Sequence, residues 1–249
     1  MPEVQTLMTG LVFGEQPRWH EDRLWFSDWG TQEVIAVDLE GNDEMILQGR
    51  SFPLCVDWLP DGRLLVVSAR EGLLLRRESD GSLVTHGDLT GLSDPPPGNE
   101  LVVDGRGNAY VNGGGFDLMA GEEFAPGIVA LVSPDGSARR VADGIAFPNG
   151  MVVTADDSTL IVAESYAGGS RASTSRLTAV CRTGGCGPIS KTALLTASAS
   201  TPRTRSGTGT SPTSVACASE RGAKCCRRSN STAGASPARL VARTSERCS

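Results

Sequence analysis

The stretch Gly144–Glu164, GIAFPNGMVVTADDSTLIVAE, decides the fold of this chain. Met151 to Val153 is apolar, Ala155-Asp156-Asp157-Ser158 is turn chemistry, and Leu160 to Ala163 is apolar again. The pattern predicts strand, tight turn, strand. Pro148-Asn149-Gly150 stands just before the first of these strands and holds a polar amide between a rigid residue and a permissive one, a placement that suits a side chain aimed at a ligand.

The same plan recurs upstream. Leu24 to Ser27 reads as a short strand, Trp29-Gly30-Thr31-Gln32 as a turn, and Glu33 to Leu39 as a strand of alternating polarity with Val34, Ala36 and Asp38 on one face. The next unit turns at Pro60-Asp61-Gly62, continues as strands Leu64 to Ser68 and Leu73 to Arg76, and turns again at Asp80-Gly81. The third runs Leu101-Val102-Val103 into a turn at Asp104-Gly105-Arg106-Gly107, with an outer hairpin from Gly127 to Ala142. Turns at Glu21-Asp22, Asp61-Gly62, Asp104-Gly105 and Asp156-Asp157 thus return about every 40 to 50 residues, the period of four-stranded propeller blades. No helical periodicity of comparable length interrupts them. An all-β chain of the β-propeller class is predicted, and not a β-sandwich, which has no reason to repeat at this period.

The 249 residues suit one domain of that class, but their composition breaks near residue 166. Residues 1–166 hold every Trp, Tyr, Phe, Met and Asp; ten arginines against 27 acidic residues leave this segment near −17. Residues 167–249 hold 13 basic residues against Glu220 and Glu246, near +11, with no aromatic residue and six of the seven cysteines. The whole-chain charge of −6 describes neither part. No apolar run approaches the ~18 residues of a membrane span, and no basic segment followed by an apolar one opens the chain. The expectation is a cytoplasmic protein with no membrane partner. The acidic first segment also disfavours nucleic acid, and the basic tail has no aromatic residues for stacking bases.

In a propeller the first strand of each blade lines the central channel, and polar residues at the entrances of those strands converge. Three fit: Glu15 before the first repeat, Asn99 before Leu101-Val102-Val103, and Asn149 before Met151-Val152-Val153. One carboxylate and two amides supply hard oxygen ligands of the kind that suit Ca²⁺, Mg²⁺ or Mn²⁺. Taken singly, Glu15 reads as a solvated loop carboxylate and each Asn as a turn residue bonding its own backbone; their shared placement is what points to a site. His20 and His86, the two histidines, read as solvated loop residues in different repeats, and Cys55 as a small core residue. Trp19, Trp25, Trp29 and Trp58 read as packing between blades.

These residues carry a resemblance. Gly14-Glu15-Gln16-Pro17-Arg18-Trp19 with Leu24 to Asp28, Asn99 to Asp104 with Gly107, and Phe147-Pro148-Asn149-Gly150-Met151 with Asp156 to Glu164 resemble the family of senescence marker protein (regucalcin), gluconolactonases and luciferin-regenerating enzyme. The order and spacing agree through about residue 166. The resemblance implies a six-bladed β-propeller with one divalent metal ion (Ca, Zn, Mg or Mn) at the channel mouth, and hydrolysis of a small-molecule lactone. By position, Glu15 and Asn149 resemble metal ligands, and Asn99 a residue that contacts substrate and, in some members, a metal-bound water. Pro97 stands where an Arg is often found two residues before that Asn, so the feature tied to sugar lactones is missing. In the family the metal polarises the lactone carbonyl and acidifies a bound water, while an Asp that also ligates it handles the proton. That Asp should fall near residues 190–205, yet the tail contains no Asp, and no catalytic residue is identified.

The tail by composition is a disordered Ser/Thr/Arg-rich extension. A third reading explains more. If each codon began at the third base of the present one, Thr would give codons ending AC, Ser of the TCN type codons ending TC, Ala GC and Gly GG. From Leu195 through Pro202 that frame permits Asp-Gly-Ile-Cys-Leu-Asp-Ala, and from Ser206 through Thr213 it permits Trp-Tyr-Gly-Asp-Val-Pro-Asn. From Gly168 it permits Arg-Leu-Thr-Gly-Phe-Asp-Ile, which continues the strand that ends near Tyr166. These strings read as propeller strands and a DG turn, placed where the last ligand is expected. The sequence is therefore read as a propeller over residues 1–166, with about four blades, followed by a frameshifted, non-native tail over 167–249. A chain of this kind is expected to be inactive or weakly active. The competing reading is a noncatalytic propeller acting as a calcium-binding or interaction protein.

Overall fold

The computed structural model describes residues 5–49, 51–166, 176–181 and 238–242, and among them there are strands and turns but no helix. After β1 (Gln5–Leu11) come three four-stranded antiparallel sheets, each in simple chain order. The first comprises β2 (Gly14–His20), β3 (Arg23–Asp28), β4 (Glu33–Val37) and β5 (Asp43–Gln48). The second comprises β6 (Leu54–Trp58), β7 (Leu64–Ser68), β8 (Leu73–Arg77) and β9 (Leu83–Asp88), and the third β10 (Pro97–Val103), β11 (Ala109–Gly113), β12 (Gly127–Val132) and β13 (Ala138–Ile145). A fourth sheet has β14 (Pro148–Val153), β15 (Thr159–Glu164) and β16 (Arg176–Cys181), and β1 pairs antiparallel with β17 (Ala238–Ala242). These are blades of a β-propeller. The remainder of the tail, and with it the expected frameshift near residues 167–169 and the acidic residue expected near 190–205, lies outside the described residues.

Hairpin chemistry explains the repeat. Asp104 accepts the backbone N–H groups of Arg106 and Asn108 at 2.7 and 3.0 Å, Asp61 that of Arg63 at 3.1 Å and Asp156 that of Ser158 at 3.1 Å. Each carboxylate closes the turn between the first two strands of its blade. In the first blade Glu21 and Asp22 do this with backbone alone, both at positive φ (49° and 57°), the requirement of a two-residue hairpin whose twist matches its strands.

The core lies between blades. Val34 of the first blade packs with Leu54, Val56, Leu64 and Val66 of the second. Leu65, Val67 and Leu74 pack with Leu101, Val111, Ala130 and Val132 of the third. Val102, Tyr110, Val129 and Leu131 then meet Met151, Leu160 and Val162 of the fourth. Leu7 and Leu11 of β1 cover Phe26, Ile35 and Val37. Middle strands are therefore buried on both faces, β7 and β12 along their whole lengths. This corrects the one-faced reading of Glu33 to Leu39: Val34 to Val37 are all buried, and the strand ends where Asp38 accepts the Glu40 and Asn42 N–H groups. Trp29 ties the first two blades by donating Nε1–H to the Leu54 carbonyl at 2.8 Å, and Trp25 and Trp58 pack on the same interface. Trp19, 40% exposed, does not.

Neither histidine is a solvated loop residue. His20 ends β2 and stacks on Trp58 with ring centroids 3.9 Å apart. His86 lies in β9 and is buried, its Nδ1 3.5 Å from the Arg76 guanidinium and its Nε2 without a partner among the described residues. Burial first, and then the Arg76 charge, push its pKa below the usual imidazole range. The unfolded chain then binds a proton that the folded chain resists, so stability present above about pH 6.5 falls as the pH drops through that range. His86→Gln is expected to flatten the decline of the thermal midpoint between about pH 7 and 5; an unchanged slope would count against the assignment.

Candidate active site

The inner strands β2, β6, β10 and β14 adjoin one another in that order. Three of them are bulged near their N-terminal ends. Pairing skips between Glu15 and Arg18 in β2, between Pro97 and Glu100 in β10, and between Pro148 and Met151 in β14, whereas β6 pairs without a break from Leu54 to Trp58. Such a bulge bends the strand and re-aims its side chains. Asn99 and Asn149 lie within two of these bulges, and Glu15 is the last paired residue before the third. The sequence reading put all three just outside strands. They are inside them, because the apolar runs used to find the strands begin only after the bulge.

The two amides are brought together. Asn99 donates Nδ2–H to the Pro148 carbonyl at 3.0 Å, and Asn149 donates Nδ2–H to Ser165 Oγ at 3.1 Å. Asn112, at the end of β11 and fully buried, donates to the Asn149 carbonyl at 2.6 Å and leaves its Oδ1 without a partner among the described residues. Two side chains of the third blade therefore grip the backbone that carries Asn149. Each amide is thus fixed through its nitrogen, and the side-chain Oδ1 is the acceptor it could offer a cation.

Glu15 is linked by charge to Glu100, the residue after Asn99. Burial, then the nearby Glu100 carboxylate, hold its pKa above the usual carboxylate range, with the Gln16 N–H pulling it back. Glu100 is itself held by Arg18, whose Nη2 lies 2.8 Å from Glu100 Oε1 and 2.6 Å from the Leu101 carbonyl. Asp57, from β6, accepts the N–H groups of Trp58 and Val103 at 2.9 and 2.7 Å. Burial raises the pKa of both Glu100 and Asp57, and Arg18 pulls each back down. The Cys55 thiol lies 3.1 Å from the Asn99 carbonyl, and burial pushes its pKa well up. It is a buried thiol and not a nucleophile, in line with its reading as a core residue.

Sequence reasoning gave Gln16 and Asn112 no role. Gln16, at φ 52° in the β2 bulge and buried, accepts the Val56 N–H at 2.6 Å and donates to the Leu101 carbonyl at 2.9 Å, bridging three blades near the axis. Asn112 carried one signal, its place before Gly113-Gly114-Gly115, all at positive φ. Among the described residues no cluster of three or more His, Cys, Asp or Glu side chains could hold a metal ion. Any ion here would rest on Glu15 and amide oxygens, hard donors of the right kind for Ca²⁺ or Mg²⁺.

The family described as the SMP-30/gluconolactonase/LRE-like region matches residues 13–173. No curated protein sequence matches the chain. Among solved structures, a gluconolactonase from Xanthomonas campestris superposes with a TM-score of 0.56 at 24% identity, over 73% of this chain and 62% of that one. Regucalcin, a calcium-binding protein from Agrobacterium tumefaciens strain C58, gives a TM-score of 0.57 at 18% identity, over 73% and 58%. A luciferin-regenerating enzyme gives 0.53 at 16%, over 71% and 64%. The chain thus spans about three fifths of the length of these relatives. At such identities they show the fold.

Proposed function

The chain belongs to the SMP-30/gluconolactonase/LRE-like family, and from that premise we propose that its intact form is a metal-dependent hydrolase of a small-molecule lactone, impaired in this chain by loss of native sequence after about residue 167. The observation that carries the reading is the pair of bulged inner strands on which Asn99 and Asn149 are each fixed through a donated side-chain N–H, with Glu15 at the bulge of a third inner strand and coupled by charge to Glu100, the neighbour of Asn99. Glu15 and Asn149 would hold one divalent ion, and Asn99 would orient the substrate. When bound, such an ion supplies Lewis acidity toward the lactone carbonyl and acidifies water. Asn112 keeps the Asn149 backbone in place, and the Arg18–Glu100 pair keeps the second carboxylate beside Glu15 from moving.

The end of the family match at residue 173 supports the frameshift, since it falls a few residues beyond the break in composition. Resequencing of the gene tests it directly: an intact frame, together with tail peptides in the native protein, would sink it.

For the site, metal titration is the first measurement. Glu15→Gln is expected to weaken divalent-ion binding by at least the ~10–100-fold that loss of an outer-shell partner costs, and Asn149→Ala comparably. Unchanged binding in both variants would remove these residues from the site. A second reading, a noncatalytic calcium-binding or interaction propeller, is supported by the likeness to regucalcin, a calcium-binding protein. Ion binding without lactone turnover in a frame-restored chain would select it.

A further inference from the structure

Next to the paired amides the structure builds an apolar wall. The segment between β11 and β12 leaves the sheet through Gly113, Gly114 and Gly115, at φ 132°, 74° and 94°. A Cβ at Gly115 would meet the Ala125 and Pro126 carbonyls at 2.5 and 2.7 Å, so the base of this loop admits only glycine. The loop then folds on itself: Asp117 accepts the N–H groups of Met119 and Ala120, and its own N–H donates to Glu122 at 2.7 Å. This presents Phe116 and Phe124 to two aromatic rings of the fourth blade. Phe116 lies 5.5 Å from Phe124 and 5.7 Å from Phe147, Phe124 lies 5.8 Å from Tyr166, and Phe147 stacks on Tyr166 at 4.7 Å.

Two observations attach this cluster to the site. Asn149 donates to Ser165, the residue before Tyr166, and the Ser165 and Tyr166 N–H groups donate to the Phe147 and Ala146 carbonyls at 3.0 Å each. Phe147 also sits at φ 57°, a conformation that a bulky residue adopts only when its surroundings impose it, and one that concentrates at ligand clamps. The wall is half open: Phe124 is 50% and Tyr166 45% exposed, while Phe116 is buried. Among its four rings the Tyr166 hydroxyl is the sole polar group.

We propose that this wall sets the substrate class of the site: a lactone whose ring carries a hydrocarbon substituent, alkyl or aryl, seated against Phe116, Phe124, Phe147 and Tyr166, rather than a polyhydroxylated sugar lactone. The inference rests on the lactone-site reading above and narrows it. A ring bearing several hydroxyls would need donors and acceptors on this side, and leaving them unpaired against aromatic faces is unfavourable. A hydrocarbon chain gains from each methylene removed from water and from contact with the ring faces.

Equilibrium binding to the full 249-residue chain, followed by ligand-observed NMR and calorimetry, tests this with γ-nonalactone, γ-gluconolactone and the acyclic ester ethyl heptanoate. The alkyl lactone is expected to bind at least ~10-fold more tightly than either comparison ligand, and Phe124→Ala to remove most of that preference. Phe124→Leu should retain it, and Met119→Ala, at the exposed loop tip, should leave it unchanged with the same circular dichroism as the parent chain. Equal or tighter binding of γ-gluconolactone, equal binding of the acyclic ester, or no binding of any of the three would overturn the proposal. Retained binding of the alkyl lactone without hydrolysis in a frame-restored chain would instead fail the hydrolase reading and leave the apolar wall standing.

Discussion

Restoring the neighbouring reading frame from about codon 167 is expected to raise lactone turnover from the buffer background to the range of ordinary enzymes, ~1–1,000 s⁻¹. The physical reason is that the proposed mechanism divides its labour. Glu15, Asn99 and Asn149 would supply oxygen ligands and orientation, but moving a proton at a useful rate needs an acid–base group, and residues 167–249 contain no Asp to provide it. The restored frame permits one in a DG turn after Leu195. The same change should improve solubility, because a propeller that closes pairs its last blade with its first and leaves no exposed sheet edge. A pH-stat assay of both chains against a lactone panel reads the first effect, and sedimentation with thermal unfolding reads the second. Turnover by the present chain at an enzyme-like rate would overturn the impairment, and a soluble monomer of the present chain that unfolds cooperatively would overturn the expected gain in solubility.

Arg18→Met should produce the largest loss of stability of any single replacement near the axis. Arg18 is the cation facing two buried carboxylates: it pairs with Glu100 at 2.8 Å and lies close enough to Asp57 to pull down its pKa. Its side chain is only 20% exposed, and that of Glu100 9%. Removing one partner of a buried pair leaves an uncompensated charge, at a cost of about 3–5 kcal/mol. For a chain of this size that corresponds to a thermal midpoint lower by roughly 10 °C. Adding Glu100→Gln should recover much of the loss, since the double variant no longer buries the orphaned Glu100 carboxylate. Thermal melts of the two single variants and the double variant form a cycle that measures this coupling. If the double variant is as unstable as the two single losses added together, the pair does not act as a unit.

What could be read along the chain was local chemistry. Asp61, Asp104 and Asp156 close turns by bonding residues two to four positions ahead, so the hairpins and their period were visible without knowledge of any neighbour. The histidines were misread for the opposite reason: His20 is placed by Trp58, 38 positions away, and His86 by burial in its blade. Gln16 is the extreme case, bonded to Val56 and Leu101, 40 and 85 residues along the chain. A lone Gln between a Glu and a Pro has no local feature that announces a bridge across three blades.

By itself the sequence determined the repeat, the blade class and the break near residue 166, because strands and turns follow from patterns a few residues long and the break is a matter of composition. The tertiary structure decided which polar residues meet. The bulges that hold Asn99 and Asn149, the grip of Asn112 on the Asn149 backbone, the charge pair of Arg18 and Glu100, and the four rings near Asn149 all depend on strand register. Register is settled by packing between blades whose residues lie tens of positions apart, and no local pattern encodes that distance.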